Sequence, residues 1–191
     1  MEEKLDRRVR KTRKLIQDAL FALMKAIPYR KIRISQITER ADISRSTFYL
    51  HYETKEDLLF SVVDEMIDEY FTAIYQTPLD PEHSPAYLLF HKWKHNIDKM
   101  RMVLDAGMEY RIYERLRTLN LQRKPLQESE NPLLNDYIRT MVDGAHFALL
   151  LRWTRDKAQV PIDQMDQLFS GMKIPEIFER LEKELPDFGK L

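Results

Sequence analysis

Apolar residues recur along this chain at helical spacing, not at the alternation of strands. Ile16, Ala19, Leu20, Leu23 and Ile27 fall at i, i+3, i+4, i+7 and i+11, one stripe along a helix from about Arg8 to Ala26. Pro28 and Tyr29 end it, because proline cannot continue the ladder of backbone hydrogen bonds. A short helix is predicted over Ile34 to Ala41, with Ile34, Ile37 and Ala41 inward, then a turn Asp42-Ile43-Ser44. Ser44 is a good N-cap for a third helix from Arg45 to about His51. Thr54 caps a longer one to about Tyr75, with Glu56 and Asp57 in its first turn, where the helix dipole favours negative charge. Further helices are read over Pro85–Asn96, Ile97–Leu104, Met108–Leu121, Pro132–Arg155, Asp163–Gly171 and Pro175–Leu185, with loops at 77–85 and 123–130. The predicted fold class is all-α.

Residues 34–51 stand apart from the rest. Two short helices about a three-residue turn, with apolar residues at 34, 37, 41, 43 and 48, form a helix-turn-helix arrangement. Ile43 and Phe48 face Ile37 and Ala41, leaving Arg45, Ser46, Thr47 and Tyr49 on or near the surface. Such a second helix enters the major groove of DNA with its N-terminal residues nearest the base edges. Arg45 offers a fork that matches guanine O6 and N7, and Ser46 and Thr47 can bond bases or phosphates. Tyr49, His51 and Lys55 are donors placed for the flanking phosphates, and Ser44 belongs to the same DNA-facing set.

Charge sharpens this division. The chain of 191 residues carries 31 Lys/Arg and 31 Asp/Glu, a net charge of zero. Residues 1–57 nevertheless hold 14 Lys/Arg against 9 Asp/Glu, and residues 58–191 hold 17 against 22. A basic head that meets a polyanion is therefore joined to an acidic body that does not. Arg7, Arg8, Arg10, Lys11, Arg13 and Lys14 form a basic lead-in able to follow a phosphate strand. The expected domains are 1–57, which binds DNA, and 58–191.

Composition excludes several classes. An apolar share of 43% suffices for a core, and the absence of cysteine removes disulfides, thiolate metal sites and cysteine nucleophiles. Four glycines are too few for phosphate-cradling loops of nucleotide-binding α/β folds. No apolar run reaches the roughly 18 residues of a membrane span, and the charged N-terminus is not a secretory signal. A cytoplasmic location is expected, with no membrane partner. There is no G-x-S-x-G elbow and no recognisable carboxylate pair, so no enzyme activity is expected. His91 and His95 have metal-compatible spacing but lack an evident third ligand; neither metal nor cofactor is expected.

The stretch RVRKTRKLIQDALFALM…KIRISQITERADISRSTFYLHYETKEDLL resembles the DNA-binding domain of TetR-family transcriptional regulators, and STFYLHYETKEDLL is its most specific part. The resemblance covers residues 8–60 and implies that Ser35 and Gln36 stand near DNA at the start of the supporting helix. It implies base reading by Arg45, Ser46 and Thr47, and phosphate contacts by Tyr49, His51 and Lys55. Three positions depart from the family pattern. Arg33 replaces a small capping threonine, so that capping is expected to pass to Ser35 while Arg33 meets a phosphate. Thr38 replaces alanine, and its buried hydroxyl needs a partner. Asp42 replaces glycine in the turn, where a left-handed conformation costs an ordinary residue roughly 1–2 kcal/mol.

For residues 58–191 the resemblance implies a helical domain that binds a small-molecule effector and forms a homodimer, the expected partner for a palindromic DNA operator. Met66, Tyr70, Phe90, Trp93, Met102, Tyr110, Tyr113, His146 and Phe147 are candidates for lining an effector cavity, or for filling the core. The broad apolar segment GAHFALLLRW and the family pattern place the dimer interface on helices at about 132–155 and 163–185. The expectation is a repressor released by its effector. The alternative keeps the DNA-binding head and puts a protein partner in place of the small molecule.

Overall fold

The computed structural model describes residues 2–76, 84–121, 131–171 and 174–189, and among these there is no strand. The protein is all-α. The helices are α1 (Glu2–Met24), α2 (Ile34–Arg40), α3 (Arg45–Tyr49), α4 (Lys55–Gln76), α5 (Pro85–His95), α6 (Ile97–Asp105), α7 (Glu109–Leu121), α8 (Pro132–Arg155), α9 (Ile162–Ser170) and α10 (Ile174–Glu184). A 3-10 turn, Tyr29–Lys31, follows the proline that stops α1. Most ends lie within two residues of the periodicity's expectation. The two expected loops lie outside the described residues, apart from Ser84 and Pro85.

The exception is α1, which begins at Glu2 and not at Arg8. Its apolar stripe starts late, but charged residues are good helix formers and need no buried face to extend an existing helix. The basic lead-in is thus helix, with Arg7, Arg8, Arg10, Lys11 and Lys14 on its exposed side.

The chain folds into two compact units: Met1–Glu69 with Asp98–Arg111, and Tyr70–Ile97 with Ile112–Leu191. The boundary drawn from charge at 57/58 falls inside the first turn of α4, which runs through it unbroken. A change in charge balance does not interrupt a helix; only a lost backbone hydrogen bond does.

In the first unit α1 packs on α2 and α2 on α3. Ile16, Leu20, Ile37, Phe48, Leu58 and Leu59 are all fully buried there. From the second stretch of this unit, Met100, Val103 and Leu104 are buried. Lys99 lies over the Phe21 ring, 5.7 Å from its centroid, and Arg111 over Phe60, at 4.9 Å.

The second unit is joined by bonds between distant segments. Ser84 caps α5 by accepting the Ala86 N–H at 3.1 Å, and the buried Asp166 of α9 accepts from both the Ser84 N–H and its hydroxyl. The Trp93 indole N–H donates to Thr154 Oγ1 at 2.8 Å, and that hydroxyl donates to the Leu150 carbonyl at 2.6 Å. The Trp153 indole N–H donates to the Val160 carbonyl at 2.9 Å. A second cluster, Leu134, Ile138, Val142 and Phe178, joins α8 to α10. On its outer side α8 shows Leu133, Tyr137 and Met141, 47%, 61% and 54% exposed, one turn apart in succession.

Candidate nucleic-acid interface

The helix-turn-helix is built from local devices. At the turn, Asp42 adopts φ +52°, the left-handed conformation that the family's glycine would take freely. Ser44 then caps α3, its Oγ accepting the Thr47 N–H at 3.0 Å. The hydroxyls of Ser46 and Thr47 both converge on the same oxygen, at 2.7 and 2.8 Å. Phe48, fully buried, pins α3 to the core. At 100° per residue, the side opposite Phe48 carries Ser46 and Leu50, flanked by Thr47 and Tyr49, with Arg45 beyond Tyr49 at the edge of this face. Arg45 and Ser46 are exposed, Tyr49 is 55% exposed and Thr47 half-buried.

Two of the unusual positions on α2 are resolved within the helix. Capping passes not to Ser35 but to Gln36, whose Oε1 accepts the Arg33 N–H at 2.9 Å. This half of a capping box works because Gln36 occupies the third position of the helix, from which its amide reaches back. Thr38, 4% exposed, satisfies its hydroxyl by donating to the Ser35 carbonyl at 3.1 Å.

A groove of about 480 Å³ runs between the start of α2, the face of α3 and the start of α4. It brings together Arg33, Ser35, Arg45, Tyr49 and Lys55, with Glu53 and Glu56 at its acidic edge. Ser44, Ser46, Thr47, Gln36 and His51 are not among its lining residues. At the start of α4, Thr54 and Asp57 cap one another: the Thr54 N–H donates to Asp57 Oδ2 at 2.9 Å, and the Asp57 N–H to Thr54 Oγ1 at 3.0 Å.

Lys55 does not point its ammonium outward unpaired. Nζ donates to the carbonyls of Tyr29, Arg30 and Ile32 at 3.1, 3.3 and 3.0 Å, and sits 4.7 Å from the centroid of the Tyr29 ring. Burial, with the charge of Glu56 second, pushes the Tyr29 phenol above its ordinary range. His51 is half-buried; burial first and the Arg13 charge second push its imidazole pKa below the ordinary value, which disfavours the charged form.

Tyr52 gives no signal in the sequence. Its ring is 5% exposed, and its hydroxyl accepts from Arg13 Nε at 3.2 Å and from Ser61 Oγ at 3.4 Å. Gln17 links α1 to the same network through Glu65, at 2.9 Å. Together these bonds tie α1 to α4 behind the reading face. The partners of Tyr52 are up to 39 residues away, so no local spacing points to it. Leu50, 82% exposed at the end of α3, is a further residue on the reading face that the sequence pattern does not single out.

The candidates for an effector cavity are dispersed. Met66, Met102 and Tyr110 belong to the first unit, and the remaining six to the second. Tyr70, Phe90 and Trp93 are buried, Tyr110 is 73% exposed, and Met66, Met102, Tyr113, His146 and Phe147 are half-buried. Within the second unit, Tyr113 meets Phe147 at 5.5 Å between centroids, and Phe90 meets Trp153 and Phe169 edge-on at 5.2 and 4.9 Å. His146 stacks on Phe169 at 4.1 Å, and its Nε2 is buried with no hydrogen-bond partner among the described residues. Burial lowers its pKa to about 4.

A capped reading helix with exposed Arg45, Ser46 and Tyr49, on a basic three-helix head, defines a helix-turn-helix DNA-binding domain. Residues 16–62 match the family model of bacterial regulatory proteins of the tetR family. Over 175 residues the chain is 30% identical to the uncharacterized HTH-type transcriptional regulator YxbF of Bacillus subtilis (strain 168), covering 84% of this chain and 44% of that protein. The chain therefore spans less than half the length of that relative. Its fold is similar to that of the dihydroxyacetone kinase operon activator DhaS, with a TM-score of 0.55 and 20% identity over 88% of this chain and 97% of that one. The head of the chain thus carries, over residues 16–62, a DNA-binding module of the kind found in bacterial regulatory proteins of the tetR family.

Proposed function

We propose that the protein binds a palindromic operator as a homodimer and acts as a transcriptional repressor that a small-molecule effector releases. The observation that carries the DNA-binding part is the exposed surface that α3 keeps while Phe48 is buried: Ser46 stands opposite Phe48, and the exposed Arg45 and Tyr49 line a groove with Arg33 and Ser35. Arg45 and Ser46, with Thr47 beside them, read base edges, while Arg33, Ser35, Tyr49 and His51 set the register on the backbone. Ser44 and Gln36 hold the two helix starts from which these side chains project.

The exposed stripe Leu133, Tyr137 and Met141 on α8, with Leu168 on α9, supports pairing of two subunits through helices 132–155 and 163–185. Two-fold symmetry then matches a palindrome. His146, with a buried and unpartnered ring nitrogen beside Phe169, supports an effector that brings a hydrogen-bond donor among apolar groups. Such an effector acts only by preferring the conformation that fits DNA less well. Among the described residues no helix is long and apolar enough to cross a membrane, in keeping with a cytoplasmic protein.

The second reading keeps this head and makes the chain an activator controlled by a protein partner. A solved structure whose fold it resembles is named as an operon activator.

Selection of duplexes from a random pool by the full-length protein tests the head. The expected product is an inverted repeat, bound with strong salt dependence. Arg45→Ala is expected to cost roughly 1–3 kcal/mol at one base position and to relax specificity there. If Arg45→Ala and Tyr49→Phe both leave the affinity intact, α3 is not the reading helix. Placing the selected site at a promoter in a transcription assay separates the two readings: output falls for a repressor and rises for an activator. Melting shifts against a metabolite library identify control by a small molecule.

A further inference from the structure

Lys55 is the first residue of α4, followed by Glu56 and Asp57. The dipole at that end of a helix favours negative charge, so a cation is out of place there on local grounds. What holds it is the 3-10 turn at Tyr29–Lys31. A lysine ammonium has three N–H donors. Three carbonyls, those of Tyr29, Arg30 and Ile32, lie within 3.0 to 3.3 Å of Nζ, and the Tyr29 ring covers it. The donors are fully committed, and none is left for a phosphate oxygen. From that turn the chain passes through the buried Ile32 to Arg33, the N-cap of α2, and to Ser35 in the groove.

From this arrangement we infer that Lys55 is a positioning residue and not a phosphate ligand. Its three directed hydrogen bonds fasten the start of α4 to the turn before α2, and so fix where Arg33 and Ser35 stand relative to Arg45 and Tyr49. The inference rests on the DNA-binding reading above and assigns Lys55 a different part in it. Charge alone does not do this work; directed N–H donors do.

The absence of cysteine from the chain makes a direct test available. Lys55→Cys is alkylated in denaturant with 2-bromoethylamine or with (2-bromoethyl)trimethylammonium and then refolded. Both products carry a positive charge on a stem close to that of lysine, but only the first has N–H donors. The aminoethylated protein is expected to bind the pool-selected duplex nearly as tightly as the unmodified protein. The trimethylated one is expected to bind about tenfold more weakly or worse, with faster hydrogen exchange at the amides of residues 32–37 in the free protein. Equal binding and equal exchange for the two products would overturn the inference. Lys55→Met supplies a second measure: the salt dependence of its binding is expected to match the unmodified protein. A slope lower by about one phosphate contact would show that Lys55 meets the backbone after all. If the unmodified protein selects no duplex, the DNA-binding reading fails, and the exchange comparison still decides the clamp.

Discussion

The head and the body of this molecule are both helical, yet they are held together over different distances in sequence. In the helix-turn-helix, the cap at Ser44, the left-handed Asp42, the Gln36–Arg33 bond and the Phe48 plug all fall within sixteen residues. In the body, α5 is fastened to α9 by Ser84 and Asp166, 82 residues apart, and Trp93 to Thr154 across 61. The helix-turn-helix itself is a local device whose caps and turn are settled by their neighbours, leaving one face open, while longer bonds such as those of Lys55 and Tyr52 fasten it to α1 and α4. The body turns polar groups such as these inward, where distant partners satisfy them. A local device can retain its reading face while the body changes.

The largest expected effect tests the head. Phe48→Ala empties a fully buried site, and about 3–5 kcal/mol of the head's stability should be lost in urea titration. Hydrogen exchange should show this loss in α2 and α3 while α8 stays protected. In the body, Thr154→Val removes the partner of the buried Trp93 N–H and should cost about 1–3 kcal/mol, with DNA affinity below the melting transition unchanged. A loss of operator binding there would break the separation just drawn.

His146 gives a smaller, pH-dependent effect. Its folded pKa of about 4 lies below the ordinary 6.5, so between these values the unfolded chain binds the proton that the fold refuses. Its neutral form therefore supports the body fully above pH 6.5, and this support fades as the pH falls towards 4. Unfolding midpoints measured across that window should fall less steeply for His146→Phe, which keeps the stack on Phe169. The smallest effect is a gain: Asp42→Gly relieves the left-handed turn and should add up to about 1 kcal/mol to the head in the same urea titration.

This difference in range also decides how much of the molecule is legible in its sequence. The turn, the Ser44 cap, the inward Phe48 and the exposed Arg45 are legible because each depends on residues three or four positions away. Lys55 is not: its partners are backbone carbonyls 23 to 26 residues upstream, and every residue type has a carbonyl. Its charge suggests a phosphate, and only the fold shows the ammonium turned onto the 3-10 turn. Tyr52 escapes for the same reason. In the body, helix ends are legible from proline and periodicity, but whether Phe90 or Tyr110 faces a core, a cavity or water depends on packing between remote helices. Periodicity also starts α1 too late, at Arg8 instead of Glu2, because the charged residues of its first turns carry no apolar stripe.

Both of the chain's tryptophans, Trp93 and Trp153, lie in the second unit, 4% and 2% exposed, with each indole N–H bonded to oxygen. The head has none. Indole emission, excited at the red edge to exclude tyrosine, is therefore a built-in optical reporter of the body alone. Its blue-shifted band should redden when the body opens and stay unchanged while the head melts, whereas far-ultraviolet circular dichroism records both. A single heating experiment followed by the two signals would show, without any label, whether the two units melt as one.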